Sequence, residues 1–548
     1  MSVISIENLK YRYPNTEKLA LNDISLNIEK GEFIGIIGRN GAGKSTLSQA
    51  IIGLVPQFYN GAYGGRVTVN GLLADKVPVS EMCEHVGLVF QNPFTQLSGA
   101  NDTVYGEVAY GLQNLGISRD EMISRVDEAL KELDIWEYRD RNPFDLSGGQ
   151  MQRVAIASIL VMKPDIIILD EPTSQLDPQG TEEVFRVVDS LSKSGNTIIM
   201  IEQKLEKMAK YCDRVILMDD GKVICFDTPE KVLSRDDIYD YGIEPPVFTR
   251  LCKEYNLTSQ DGTYPTTIDK TLELFEKASI KPEKIAQKKS TGNSDKQNSD
   301  SIFTIDKLTF SYIEGVEVIK DLNLTLDRSA TAIIGQNGAG KTTLVRLLKG
   351  LLKPVSGKIY YGKEDISKKT VAMLAGSVGY VFQNPDDQIF KYTVLEEVMF
   401  GPLQIGLSEE KAKENAINAL KLLNVSGKEK VNPYDLELNE RKLVAIASVV
   451  AMDTDVVILD EPTIAQDYEG RKLIGNMIRE LTAKGKFVIA ILHDMNFVYE
   501  NFERVIVMAH GKILCDGTPD EVFSKSDILD KAKLQKPDIV DLYERLCR

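Results

Sequence analysis

Gly38-Arg39-Asn40-Gly41-Ala42-Gly43-Lys44-Ser45 follows the apolar run Phe33-Ile34-Gly35-Ile36-Ile37, and Gly335-Gln336-Asn337-Gly338-Ala339-Gly340-Lys341-Thr342 takes the same place in the second half of the chain. Both fit G-x-x-x-x-G-K-[ST] between an apolar strand and a predicted helix, the context that separates a P-loop from a chance glycine turn. The glycines let backbone N–H groups close around phosphate oxygens at a helix N-terminus. Lys44 and Lys341 add positive charge on the β- and γ-phosphates. The hydroxyls of Ser45 and Thr342 suit a Mg²⁺ ligand. Thr46 and Thr343, next in line, complete the candidate nucleotide-binding stretches.

From these loops an internal repeat extends outward and decides the architecture. Gln91 pairs with Gln383, Asp170 with Asp460 and Gln203 with His493, and Arg214-Val215-Ile216-Leu217-Met218 matches Arg504-Val505-Ile506-Val507-Met508. The first copy is expected over 1–236 and the second over 302–548. Between them, 237–301 reads as a helical extension, with Lys270-Thr271-Leu272-Glu273-Leu274-Phe275 as one helical piece, followed by a polar tether over 286–301. A tether raises the effective concentration of each copy for the other, so the two domains should pair within one chain.

Short β-branched runs such as Ile166-Ile167-Ile168-Leu169 and Thr197-Ile198-Ile199-Met200-Ile201 predict buried strands of a mostly parallel sheet. They alternate with amphipathic helices, of which Glu121–Leu133 is one. The expected fold is α/β, with two tandem P-loop domains. In each copy a strand ends on adjacent carboxylates, Asp170-Glu171 and Asp460-Glu461. The first can hold Mg²⁺ through water, and the second can orient or deprotonate an attacking water.

The net charge of −16 argues against a general affinity for a nucleic-acid backbone. The six cysteines are scattered without a C-x-x-C pair, against a disulfide framework or a metal site built on them. Met1-Ser2-Val3-Ile4-Ser5-Ile6-Glu7 has no basic start or long apolar core, so no signal peptide is expected. Apolar runs such as Val154–Met162 fall short of the roughly 20 residues of a membrane helix. Any membrane work requires another chain to do the spanning.

Taken together, these motifs resemble the nucleotide-binding subunits of ABC ATPases over nearly the whole chain except 237–301. Leu146-Ser147-Gly148-Gly149-Gln150 matches that family's signature, which in the family closes over ATP held by the P-loop of the other domain. The resemblance implies an antiparallel β subdomain and a helical subdomain beside each sheet, with ATP and Mg²⁺ as cofactors. It further implies that Gln91 and Gln383 sense Mg²⁺ and partner subunits, and that Tyr13 and Tyr312 stack on adenine. A narrower likeness lies in Phe90-Gln91-Asn92-Pro93-Phe94-Thr95-Gln96 and Phe382-Gln383-Asn384-Pro385-Asp386-Asp387-Gln388, which share F-Q-N-P-x-x-Q. This looks like the ATPases of energy-coupling factor importers of vitamins and metal ions. It implies a peripheral protein on the cytoplasmic side of the cell membrane. An integral-membrane subunit would dock near Gln91 and Gln383, and a separate membrane subunit would bind the cargo.

Where the signature should recur, the second half reads Leu436-Glu437-Leu438-Asn439-Glu440, between the matching flanks Asn432-Pro433-Tyr434-Asp435 and Val444-Ala445-Ile446-Ala447-Ser448. In a head-to-tail pair, the site of Lys341, Thr342, Asp460, Glu461 and His493 receives the intact Ser147, Gly148, Gly149 and Gln150. The site of Lys44, Ser45, Asp170, Glu171 and Gln203 receives the altered signature. Gln203 also stands where the family has a histidine. A carboxylate about 5 Å from a phosphate oxygen costs about 3 kcal/mol at an effective dielectric near 20. That is roughly a hundredfold in rate if it falls on the transition state. Arg441 and Lys442 are expected to offset part of it. The resulting expectation is one working site and one weakened site. The competing reading is a soluble tandem ABC protein acting on ribosomes; a role in DNA maintenance would need a long coiled-coil insertion, and no extended heptad run is present.

Overall fold

The computed structural model describes residues 2–174, 176–280 and 301–547. The chain forms two compact units, Met1–Lys281 and Pro282–Arg548. Most of the polar stretch expected to tether them, 286–300, lies outside the described residues.

In the first unit a six-stranded sheet runs Lys222–Asp227, Arg214–Asp219, Phe33–Ile37, Thr197–Ile201, Ile166–Asp170, Val86–Val89. Its strands pair in parallel except for the edge strand Lys222–Asp227. Phe33–Ile37, Ile166–Asp170 and Thr197–Ile201 are buried at every position. Burial on both faces explains why they read as continuous apolar runs. A four-stranded antiparallel sheet lies alongside in sequence, ordered Leu21–Glu29, Ser2–Arg12, Ala62–Val69, Leu72–Leu73. Helices Val104–Asn114, Arg119–Glu132 and Gly148–Leu160 pack on one another as a third layer.

The second unit repeats this plan. Its six-stranded sheet runs Val378–Val381, Val456–Asp460, Phe487–Ile491, Thr331–Ile334, Arg504–Ala509, Lys512–Gly517, the same order read from the other edge. Its helical layer comprises Val394–Gln404, Glu409–Leu422 and Leu438–Val450. Among the described residues, no helix is long and apolar enough to cross a membrane.

The repeat continues past residue 236. Helix Val247–Glu254 is entered through Pro246, and its counterpart Asp538–Leu546 through Pro537. Proline at the cap presets the backbone angle that a helix start needs. Among the described residues, helix Ile268–Ala278 has no counterpart in the second unit. It is held by the buried Phe275 against Tyr255, and by the Cys252 thiol reaching the Thr271 hydroxyl at 3.9 Å.

Candidate active site

Each P-loop joins a central strand to a helix, Lys44–Ile52 or Lys341–Leu348, with Gly43 or Gly340 as a left-handed cap. Gly38 and Gly335 lie at φ +150° and +153°, and a Cβ there would fall 2.2 Å from Met218 O and 2.1 Å from Met508 O. Only glycine fits. Lys44 Nζ donates to Gly38 O at 2.9 Å and Arg39 O at 2.8 Å. Lys341 Nζ donates to Gly335 O at 2.8 Å and Gln336 O at 3.0 Å. Each ammonium is thus held inside its own loop, where phosphate oxygens would arrive. Arg39 joins the site through its backbone only, because its guanidinium is turned to Asp219 and the Asp240 carbonyl.

The paired acids stand at the strand ends beside these loops. Ser45 hydrogen-bonds Asp170, and Thr342 Oγ1 donates to Asp460 Oδ1 at 3.5 Å. With the side-chain oxygens of Gln91 and Gln383, these would supply all-oxygen donor sets, the chemistry that fits a hard cation such as Mg²⁺. Glu171 and Glu461 take left-handed angles, φ 47° and 49°. A non-glycine residue persists there only when its surroundings over-determine it. Both carboxylates are gripped from two sides. Glu171 accepts from Gln91 Nε2 at 2.7 Å and Gln203 Nε2 at 3.0 Å. Glu461 accepts from Gln383 Nε2 at 2.9 Å and faces His493 Nε2 at 2.9 Å. The sequence-predicted catalytic residues therefore come together in each half.

The electrostatics of the two clusters diverge. In the first half burial pushes Glu171 up to about 7, against the pull of Lys44 and with the push of Asp170 and Glu202. In the second half burial would also raise Glu461. His493, Lys341 and Lys442 outweigh it and hold the carboxyl below its ordinary range. Burial and Glu461 lift Asp460 to about 6, against the pull of Tyr380, Lys442 and Arg346. The first cluster thus carries an extra buried acid, and the second carries extra cations.

The signature helices also differ. Ser147 caps Gly148–Leu160 with a complete capping box, its hydroxyl accepting from Gln150 N while Gln150 Oε1 accepts from Ser147 N at 3.1 Å. Leu438–Val450 starts at Glu437 without a side-chain cap. The expectation that Arg441 and Lys442 offset the altered signature's charge toward a phosphate is corrected here. Arg441 Nη1 donates to Asp386 Oδ1 at 2.9 Å, and Lys442 is 2% exposed with its ammonium directed into its own domain. Residue 442 falls on the inward face of the helix, so its charge points away from the helix tip. Glu440 is instead paired with Lys428.

Tyr13 and Tyr312 stand over the P-loop helices, their hydroxyls 3.2 Å from Thr46 Oγ1 and Thr343 Oγ1. Each F-Q-N-P-x-x-Q segment is a locked loop. Gln96 Oε1 accepts from Phe90 N at 3.0 Å while its Nε2 donates to Ala155 O at 2.8 Å. Gln388 does the same with Phe382 N at 3.2 Å and Ala445 O at 2.8 Å. Asn92 and Asn384 cap the turns, and Pro93 and Pro385 open them.

Three site residues escaped sequence reasoning. Tyr380 donates to Asp460 Oδ2 at 2.7 Å. Arg346 in turn hydrogen-bonds Tyr380. Glu202, buried beside the first acidic pair, accepts from Thr173 Oγ1 at 2.5 Å and Gln203 N at 2.9 Å. Each stands opposite a dissimilar residue in the aligned repeat, namely Leu88, Gln49 and Leu492. That mismatch was the available signal.

Two P-loops with acidic strand ends, on sheets of this order, define a tandem P-loop ATPase. A family model described as ABC transporter matches residues 21–174 and 319–464. A Methanosarcina acetivorans protein described as "Putative ABC transporter ATP-binding protein" is 39% identical over 546 residues, 97% of this chain and 89% of the relative. A similarly described protein of Caldanaerobacter subterraneus subsp. tengcongensis is 37% identical, over 99% of this chain and 96% of the relative. Among solved structures, cbiO1 of Clostridium perfringens, described as part of the ABC transporter complex cbiONQ, is 35% identical. It covers 45% of this chain and 99% of that one, with a TM-score of 0.39. The chain belongs to the ABC transporter family, as an ATP-binding and ATP-hydrolysing protein with two ABC domains.

Proposed function

We propose that this chain powers uptake by an importer of the energy-coupling factor type, acting on the cytoplasmic side of the cell membrane beside an integral-membrane subunit and a separate cargo-binding membrane subunit. The observation that carries this reading is the pair of F-Q-N-P-x-x-Q loops. Each is braced at both ends, and exposed aromatic side chains stand on or near it: Phe94 and Phe144 in one half, Phe390, Tyr392 and Tyr434 in the other. The same loops send Gln91 and Gln383 to the glutamates, so a partner seated there is one hydrogen bond from each candidate base. Exposed aromatic patches of this kind suit a protein partner.

In this reading the halves pair head to tail. Lys341 and its loop hold the β- and γ-phosphates, and Ser147, Gly148, Gly149 and Gln150 close over them. Tyr312 stacks on adenine, as Tyr13 does in the other half. Glu461 takes the proton of the attacking water while His493 and Gln383 keep its carboxylate oriented. Thr342, Asp460 and Gln383, or Ser45, Asp170 and Gln91, would hold Mg²⁺, which would supply positive charge against the phosphates. The Lys44, Glu171 and Gln203 site, facing Glu437 and Glu440, holds ATP and turns it over slowly.

Recovery of the tagged chain from detergent-solubilised membranes tests the transport reading. Co-purification with a small hydrophobic membrane subunit, lost on Phe94→Ser with Phe390→Ser, is the expected result. Recovery with ribosomes instead would overturn it.

A further inference from the structure

The inward faces of the two signature helices differ as much as their tips. In the first, Gln152 is fully buried and neither atom of its amide has a hydrogen-bond partner. The aligned residue in the second is Lys442. Its ammonium donates to Phe382 O at 2.9 Å, to Gln383 O, and to Asp460 O at 3.3 Å. An ammonium has three N–H donors, and three carbonyls occupy them.

Those carbonyls are not generic core groups. Two belong to the loop that delivers Gln383 to Glu461. The third is the Asp460 carbonyl, in the peptide that leads directly into the left-handed Glu461. Lys442 therefore restrains the candidate base from both sides: through the residue that grips its carboxylate, and through the peptide that sets its backbone. Two neighbours reinforce this. Arg441 pairs with Asp386 of the same loop, and Gln466 Nε2 donates to Asn439 O at 2.9 Å, tying the helix start to the segment after the acidic pair. The aligned residues in the first half, Met151 and Leu176, are apolar.

A plain core role explains this poorly. The first half builds the same helix, loop and strand with an uncharged glutamine, so the fold does not require the cation. Burying a charge is costly unless it is fully hydrogen-bonded.

We propose that Lys442 is a positioning residue for ATP hydrolysis at the second half's own P-loop, and that the helix whose tip lost the serine and glycines serves as a brace within its own domain. The proposal rests on turnover at the Lys341 site, which Glu171→Gln alone tests. A chain made inactive by that change refutes the turnover reading, whereas a chain that keeps its activity and is indifferent to Lys442→Gln refutes the role of Lys442 alone.

The test is steady-state ATPase of the full chain carrying Lys442→Gln, with and without Glu171→Gln. The expected result is a kcat about tenfold lower with KM for ATP within twofold, as misplacement of a base predicts. An unchanged kcat overturns the proposal, whatever happens to the melting temperature. So does an equal proportional loss in a Glu461→Gln background, where only the first site can act. Should Lys442→Gln fail to fold, the reciprocal Gln152→Lys in the Glu461→Gln background decides: a rise in the residual turnover supports the brace, and no rise overturns it.

Discussion

The two halves share one backbone plan and hold their glutamates in nearly the same grip, yet one adds a buried acid beside its glutamate and the other a buried lysine. Around Glu171 stand Asp170, Glu202 and a single P-loop lysine, with a neutral amide where the other half has His493. Around Glu461 stand Asp460, Lys341, Lys442 and His493, with Arg346 one hydrogen bond behind Tyr380. A buried carboxylate needs compensating charge to stay ionised, and a general base must be ionised to take a proton. The difference therefore bears on which half can run hydrolysis, and it lies inside each domain, independent of how the two domains pair.

The largest break in this comparison comes from removing each base in turn. Glu461→Gln should lower steady-state ATPase by about a thousandfold, within the range for losing a general base, while Glu171→Gln should change it less than threefold. Equal losses, measured on the full chain at saturating ATP and Mg²⁺, would end the case for unequal sites. Next in size is an exchange at the helix tips. Ser147→Glu places in the intact signature the residue found at 437, and should cost roughly a hundredfold in kcat by charge repulsion at the phosphate. A loss under threefold would mean that the tip does not approach a phosphate during turnover.

A third change isolates the inner charge difference. Tyr380→Phe removes the hydroxyl bonded to Asp460 Oδ2 and uncouples Arg346 from that acid. A hydrogen bond to a charged group contributes about 1.5–3 kcal/mol, so turnover should fall about tenfold at limiting Mg²⁺. Excess Mg²⁺ should restore part of it, since the lost donor orients the carboxylate proposed to hold the metal. A Mg²⁺ titration unchanged by the substitution would show that Tyr380 serves packing alone.

How much of this was legible in the sequence follows from how local each feature is. The P-loops, the acidic pairs and the altered signature are contiguous, and their chemistry is written in neighbouring residues. Buried parallel strands such as Ile166–Asp170 were legible because burial on both faces leaves no polar alternation. The donors behind the acids were not, because Tyr380 and Asp460 are 80 residues apart and meet only when their strands pair. Lys442 was misread for a related reason. Its position two residues after Glu440 suggests a charge at the helix tip, but two steps around a helix turn a side chain by about 200°, and that carries it into the core. Past residue 236 the repeat keeps Asp237, Ile238 and Asp240 against Asp527, Ile528 and Asp530, then retains mainly a proline-started amphipathic helix, Val247–Glu254 matching Asp538–Leu546. Packing preserved the pattern after the motifs had ended.

The smallest predicted effect is the one that best locates the weakened site. Gln203 Nε2 reaches Glu171 at 3.0 Å and His493 Nε2 faces Glu461 at 2.9 Å, so the two side chains occupy equivalent places and differ in chemistry, since an imidazole can exchange a proton and an amide cannot. Gln203→His in a Glu461→Gln background should raise the residual ATPase by no more than about threefold if the halves pair head to tail, because the altered signature would still oppose the phosphate. Glu437→Ser should do about the same. Residues 203 and 437 belong to different halves, and distant independent changes add in free energy to within about 0.5 kcal/mol. If the halves pair head to tail, these two changes act on one nucleotide, and the double variant should exceed the product of the single effects by more than about twofold. A simply multiplicative double variant would leave each defect in a site of its own, and the single weakened site would have to be given up.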